Sequence, residues 1–264
     1  MDLKLSGKTA LVTGSTAGIG FAIASALVDE DANVVVNGRT EDRVNQAVQR
    51  LQSRKRGGNV SGFAGDLSRA EDVSRLTERL PEIEILINNL GIFEPKPFEE
   101  ITDSDWERFF NVNVMSGVRL SRHYLPRMLK KNWGRIIFIS SESGLNIPSE
   151  MIHYGMTKTA QLAIARGLAE TTAGTHVTVN AVLPGPTLSE GVGTFVQDLA
   201  KAQGTDLAEV EKQFFQRVRP SSLIQRFAEP DEVASMVAYL SSPLASATNG
   251  AAVRVDDGVV RSIA

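Results

Sequence analysis

Cysteine is absent from this chain of 264 residues, which removes disulfides, thiolate nucleophiles and cysteine-ligated metals together. Histidine is nearly as scarce. His123, His153 and His176 stand apart, without the spacing of a metal site, and are expected to be structural or surface residues. Neither sign of charge dominates: 28 Lys+Arg against 31 Asp+Glu leave a net charge of −3, which offers no basis for binding nucleic acid or an anionic membrane. No apolar run approaches the ~20 residues needed to cross a bilayer. The opening Met-Asp-Leu-Lys-Leu has no apolar leader core, so a cytoplasmic protein is expected. What remains is ordinary for a globular protein with a sizeable core: 42% apolar and 22% charged residues.

Short β-branched runs alternate with amphipathic helical stretches along the whole chain. Strands are expected at residues 9–13, 33–37, 60–64, 85–88, 135–140, 176–183 and 252–255. Helices are expected between them at 19–29, 40–54, 70–80, 103–130, 151–171 and 230–241. Runs such as Val34-Val35-Val36 and Ile136-Ile137-Phe138-Ile139 are apolar without a break, the mark of strands buried on both sheet faces. The fold class that follows is α/β: a doubly wound, Rossmann-like parallel sheet of about seven strands with helices on both faces. No linker or repeat divides it, so residues 1–264 read as a single domain. One stretch breaks the rhythm. Residues 184–229 show no strand pattern but hold Leu188, Val192, Phe195, Val196, Phe214 and Phe215, and are expected to form a lid over a site.

Residues 13–20, Thr-Gly-Ser-Thr-Ala-Gly-Ile-Gly, join the first strand to the first helix. Glycines there allow a sharp turn and close approach of the backbone to a pyrophosphate, which the helix N-terminus attracts. Their spacing, G-x3-G-x-G, differs from the commoner dinucleotide pattern G-x-G-x2-G. At the tip of the second strand the chain reads Val36-Asn37-Gly38-Arg39-Thr40, with no carboxylate for a ribose 2′-hydroxyl. Arg39 suits a 2′-phosphate instead, so NADP(H) is favoured over NAD(H).

Tyr154 and Lys158 lie four apart on an expected helix and so share one face. A phenol beside an ammonium can serve as a general acid toward a carbonyl oxygen. With the glycine turn, Asn88-Asn89-Leu90-Gly91 after the fourth strand and Ser141 after the fifth, this pair makes the chain resemble the short-chain dehydrogenase/reductase family. The resemblance runs from about Leu5 to the C-terminus and is to the compact single-domain form, as in 3-oxoacyl-acyl-carrier-protein reductases.

The resemblance implies a catalytic tetrad of Asn113, Ser141, Tyr154 and Lys158. Asn113 is chosen over Asn111 because Gly117 follows four residues later, and Ser141 over Ser140 because it precedes Tyr154 by thirteen. It implies a cofactor site of Gly14, Ser15, Thr16, Gly18, Ile19, Gly20, Arg39, Asp66, Leu67, Asn89, Gly91, Tyr154, Lys158, Pro184, Gly185 and Thr187. In it Asp66 contacts adenine and Thr187 the nicotinamide carboxamide. Lys158 is expected to touch the ribose and depress the Tyr154 pKa, and Asn113 to hold a water that links Lys158 to solvent. Leu90, Ser189 and Asp257 depart from the family's usual alanine, threonine and glycine, and none removes a catalytic group.

The implied reaction is hydride transfer between NADP(H) and a carbonyl or secondary alcohol. Phe93, Ile147, Met151, Leu188, Val192 and Phe195 are expected to line an apolar substrate pocket. Arg217 and Arg219 are expected to be ordinary surface charges. A 3-oxoacyl thioester is the leading substrate; a sugar, steroid or xenobiotic carbonyl, or a non-catalytic redox sensor, is the alternative. The partners expected are a small-molecule substrate and further copies of the chain, a tetramer or dimer built through the helices at 103–130 and 151–171, with no nucleic acid and no membrane.

Overall fold

All strands of the sheet run parallel, and those at its centre are buried on both faces. The computed structural model describes residues 2–54 and 58–263; the side chains of Thr194, Phe195, Asp198, Leu199, Ala202 and Gln203 lie outside what it describes. The strands are β1 (Thr9–Val12), β2 (Asn33–Gly38), β3 (Val60–Ala64), β4 (Ile85–Asn88), β5 (Gly134–Ile139), β6 (Val177–Pro184) and β7 (Ala252–Val255). They form one sheet in the order β3-β2-β1-β4-β5-β6-β7. The expected strands and their parallel, doubly wound arrangement are therefore present, with ends displaced by a residue or so.

Alternation along each strand splits the core in two. Ala10, Val12, Ile85, Ile87, Ile137 and Ile139 face one side, where α1 (Gly18–Asp29) and α9 (Pro230–Ser241) supply Ile23, Leu27, Val233 and Val237. Leu11, Leu86, Ile136 and Phe138 face the other. There α3 (Ala70–Arg79), α5 (Ser116–Lys131) and α6 (Ile152–Glu170) supply Leu76, Leu120, Tyr124 and Ala165. Each fully buried leucine or isoleucine contributes roughly 1.5–3 kcal/mol, and the two clusters hold the sheet rigid beneath its loops. α2 (Glu41–Gln52) packs at the β2–β3 edge.

Two regions differ from the sequence expectation. The helix expected over 103–130 is not continuous: α4 (Asp103–Phe110) passes into α5 through a π-helical segment, Asn111–Met115. From this segment the Asn113 side chain reaches across to Ile92, and such π-helical insertions are frequent at functional sites. Residues 184–229 fold into α7 (Glu190–Gln203) and α8 (Leu207–Arg217). These carry a small core of their own, Val196, Ala200, Val210, Phe215 and Phe227, with Phe214, Phe215 and Phe227 in mutual ring contact at 5.0–5.1 Å. An isolated parallel bridge between Thr187 and Ala228 pins the base of the segment.

Candidate active site

β1 has β2 on one side and β4 on the other, so the connections leaving β1 and β4 diverge and open a crevice at the carboxyl ends. The turn after β1 is shaped for that crevice. Gly14 and Gly18 take φ of +59° and +56°, values that side-chain-bearing residues avoid. A Cβ on Gly20 would lie 2.4 Å from Asn89 Nδ2 and 2.5 Å from the Gly14 carbonyl, so only glycine lets the helix approach the turn. α1 begins at Gly18 with Ala17 before it, no side-chain cap and no acid in its first turn. Its positive end is left to an anionic ligand, and the cradle fits a dinucleotide pyrophosphate.

Not every residue expected at the cofactor faces it. The Ser15 hydroxyl donates to the Val12 carbonyl at 2.6 Å and accepts from Asn37 N–H at 3.0 Å, and its own N–H donates to the Asn37 carbonyl. Ser15 therefore shapes the turn and has no donor left for a phosphate. Asn89 donates to the Thr13 and Gly14 carbonyls at 2.9 and 3.1 Å while still lining the cavity. Leu67 is a core residue. The Asp66 carboxylate accepts from the Ser68 N–H and hydroxyl at 3.0 and 2.7 Å. Arg39 is exposed at the end of β2, next to Gly38, which is covered by the Thr16 methyl. Asn37, which sequence reasoning passed over, ties the whole edge: its amide bonds to Gly14, Phe63 and Gly65.

A cavity of about 560 Å³ opens beyond the cradle. Ile19, Asn89, Gly91, Ser141, Tyr154, Lys158, Pro184, Gly185 and Thr187 all line it, so residues distant in sequence meet around one cavity. Of the expected substrate residues, Phe93, Met151 and Val192 line it too, with Phe93 edge-on to the Tyr154 ring at 6.5 Å. Ile147 and Leu188 do not: both are exposed, and Ile147 covers Gly155 on the outside of α6. Phe195 lies outside the described side chains. Val196, Val210, Gln213 and Phe214 join the lining from the two helices, and Phe227 from the stretch before α9. Their alternation with exposed positions on α7 and α8 is the signal by which the sequence reveals them.

Ser141 and Tyr154 both line the cavity. Ser141 Oγ accepts from Ser143 N–H at 3.1 Å, which leaves the serine hydrogen free to donate. Lys158 Nζ lies 5.5 Å from the Tyr154 ring centre and donates to the Ile139 carbonyl at 2.9 Å and to Gln161 Oε1 at 3.3 Å. The expected depression of the tyrosine is not what this environment produces. Burial pushes Tyr154 up to about 12, with Ser141 acting in the opposite direction and the Glu142 carboxylate adding to the rise. Burial likewise brings Lys158 down to about 7. The phenol is thus firmly protonated, as a proton donor must be.

Asn113 is engaged on every side. Its Oδ1 accepts from Ile92 N–H at 2.8 Å, and its Nδ2 donates to the Ile92 carbonyl and to Thr157 Oγ1 at 3.0 and 2.9 Å. Arg219 corrects the expectation of surface charge. It is 8% exposed, and its guanidinium donates to Glu142 at 3.0 Å and Glu150 at 3.3 Å inside the cavity wall, while Arg217 stays exposed. Glu142 was passed over although it adjoins Ser141, and its partner lies 77 residues away.

Residues 8–200 match the family described as short chain dehydrogenase. The uncharacterized oxidoreductase YvaG of Bacillus subtilis (strain 168) is 51% identical over the full length of both chains. The 3-oxoacyl-(acyl-carrier-protein) reductase FabG of Aquifex aeolicus is 32% identical over 98% of this chain and all of its own. In structure, L-sorbose reductase from Gluconobacter frateurii, solved with NADPH and L-sorbose, superposes with a TM-score of 0.93 at 30% identity and full coverage of both chains. The chain belongs to the short-chain dehydrogenase family and is an oxidoreductase.

Proposed function

We propose that this short-chain dehydrogenase interconverts a carbonyl and a secondary alcohol with NADP(H), using Tyr154 as general acid and base. The observation that carries the reading is the meeting of Ser141, Tyr154 and Lys158 on one cavity wall beside the glycine cradle. Gly14, Thr16, Gly18, Ile19 and Gly20 would hold the pyrophosphate, Arg39 a 2′-phosphate, Asp66 the adenine, Lys158 the ribose, and Gly185 and Thr187 the nicotinamide end. The NADPH bound by L-sorbose reductase supports the phosphate preference. When bound, the cofactor supplies the hydride. Tyr154 gives its phenolic proton to the carbonyl oxygen as the carbon is reduced and recovers it in the oxidising direction. Ser141 donates to the same oxygen and stabilises the charge that develops there. Residues 184–229 act as the lid that excludes water.

For the substrate, the apolar walls at Met151, Val192, Val210 and Phe214 suit a 3-oxoacyl thioester, the activity for which FabG is named. The buried Glu142–Arg219 pair favours a second reading, a small ketone that carries hydroxyl groups. Hydroxyls can donate to the carboxylate and accept from the guanidinium, whereas an acyl chain there would leave both unsolvated. The test is turnover with NADPH and NADH against acetoacetyl thioesters and a set of ketoses. At least about tenfold faster turnover with NADPH is expected, and Tyr154→Phe should cut it by about 10³-fold or more while NADPH binding, read by fluorescence, stays within a few-fold. Wild-type turnover in that variant refutes the role of Tyr154; equal rates with the two cofactors refute the preference.

A further inference from the structure

The family resemblance implies that Asn113 holds a water linking Lys158 to solvent; in this chain a side chain also bonds both residues. Gln161, 1% exposed on α6 one turn beyond Lys158, donates from Nε2 to the Asn113 carbonyl at 2.6 Å. Its Oε1 accepts from Lys158 Nζ at 3.3 Å. A carbonyl on one side and an ammonium on the other leave the amide only one satisfying orientation. The side chain of the same Asn113 donates from Nδ2 to Thr157 Oγ1, which in turn donates to the Tyr154 carbonyl at 2.7 Å.

We propose that Gln161 is a positioning residue for Lys158, fixing the place and the charge of its ammonium by bridging it to the Asn113 carbonyl. This rests on reading Lys158 as the partner of Tyr154 in catalysis. A buried ammonium has three hydrogens to satisfy, and the protein offers Lys158 two acceptors, the Ile139 carbonyl and Gln161. Hydrogen bonds to a charged donor are the strong kind, so each acceptor matters to the balance between ammonium and amine. The other surroundings are nearly free of charge. α6 presents Tyr154; the turn after β5 presents Glu142, paired with Arg219 from the segment after α8. β5, the 89–92 loop and the π-helical segment contribute carbonyls and amides. Unlike a water, an amide does not readily pass a proton on, so the bridge holds charge rather than relaying it.

The experiment is an NMR titration of lysine-labelled enzyme without cofactor or substrate, with the Lys158 resonance assigned by its loss in Lys158→Met. Gln161→Leu removes the acceptor and should lower the Lys158 midpoint by about one unit or more. Gln161→Glu, nearly the same shape, should raise it by a similar amount, and it decides the matter should the leucine variant fail to fold. A midpoint within about 0.3 unit of wild type in either folded variant overturns the proposal. The titration needs no turnover. Shifted midpoints alongside a fully active Tyr154→Phe would sink the catalytic reading and leave the Gln161 bridge standing.

Discussion

Two buried cations lie against β5, one at each end of the strand, and they are treated differently. At the amino end Arg135, 1% exposed, donates to the carbonyls of Gly134, His176 and Ser242 at 2.8, 2.8 and 3.2 Å and lies 4.8 Å over the Trp133 ring. Burial lowers its pKa only to about 10, so it is charged throughout the physiological range. At the carboxyl end Lys158 has two acceptors and a pKa near 7. The guanidinium keeps its charge through the physiological range; the ammonium titrates within it. The contrast extends beyond the pair. Among the described residues, the buried side-chain atoms without a partner are Asn88 Oδ1, Glu142 Oε2, both ring nitrogens of His153 and Asp257 Oδ2. Asn88 ends β4, Glu142 follows Ser141, His153 precedes Tyr154, and Asp257 follows β7. Incomplete satisfaction is concentrated at the end of the sheet that carries the candidate site.

Exchanging each cation for methionine tests that division. Lys158→Met should have the largest effect, a fall in turnover of about 10³-fold, with stability held or improved because a buried charge is replaced by an apolar chain of similar shape. Its pH signature has a definite sign. The folded pKa lies below the unfolded value, so between pH 7 and about 10 the unfolded chain binds the extra proton and wild-type stability rises with pH. That rise should be missing from urea unfolding of the variant, and a slope equal to wild type would show that the lysine is not buried in this way. Arg135→Met should do the reverse. Three buried carbonyls lose their donor, so a destabilisation of about 3 kcal/mol is expected, with kcat/KM of the folded enzyme unchanged. Loss of activity without loss of stability would erase the distinction between the two ends.

The distinction was half visible in the sequence. Strand positions, parallel order and the two-faced core follow from unbroken apolar runs with strict alternation, a local pattern that needs no knowledge of partners. The glycine turn and the spacing of Ser141, Tyr154 and Lys158 are local too. What could not be read was pairing at long range: Arg219 with Glu142, Asn37 with Gly14, and Gln161 with Asn113 across 48 residues. Arg219 looks like surface charge because arginine is mostly exposed in folded proteins, and only the packing of residues 184–229 buries it. The π-helical segment was missed because 3.6-residue periodicity barely changes over five residues.

His153 offers the smallest and most diagnostic change, since it is buried at the chemical end yet has no part in the chemistry. Its ring packs 4.0 Å from Phe109 and 6.0 Å from Trp106, with neither nitrogen bonded. Burial lowers its pKa, against the pull of Asp105 and Glu94, while Arg108 and Lys96 add to the fall. The fold therefore holds the neutral ring. Below about pH 6.5 the unfolded chain takes up a proton that the native state refuses, and stability falls as the pH falls. His153→Leu keeps the volume and removes the titrating group. Stability at pH 7 should change by on the order of 1 kcal/mol or less, and the loss between pH 6.5 and 5 should become shallower. An acid limb as steep as that of the wild type would place the proton uptake on other groups and would make the partnerless ring a packing residue like any other.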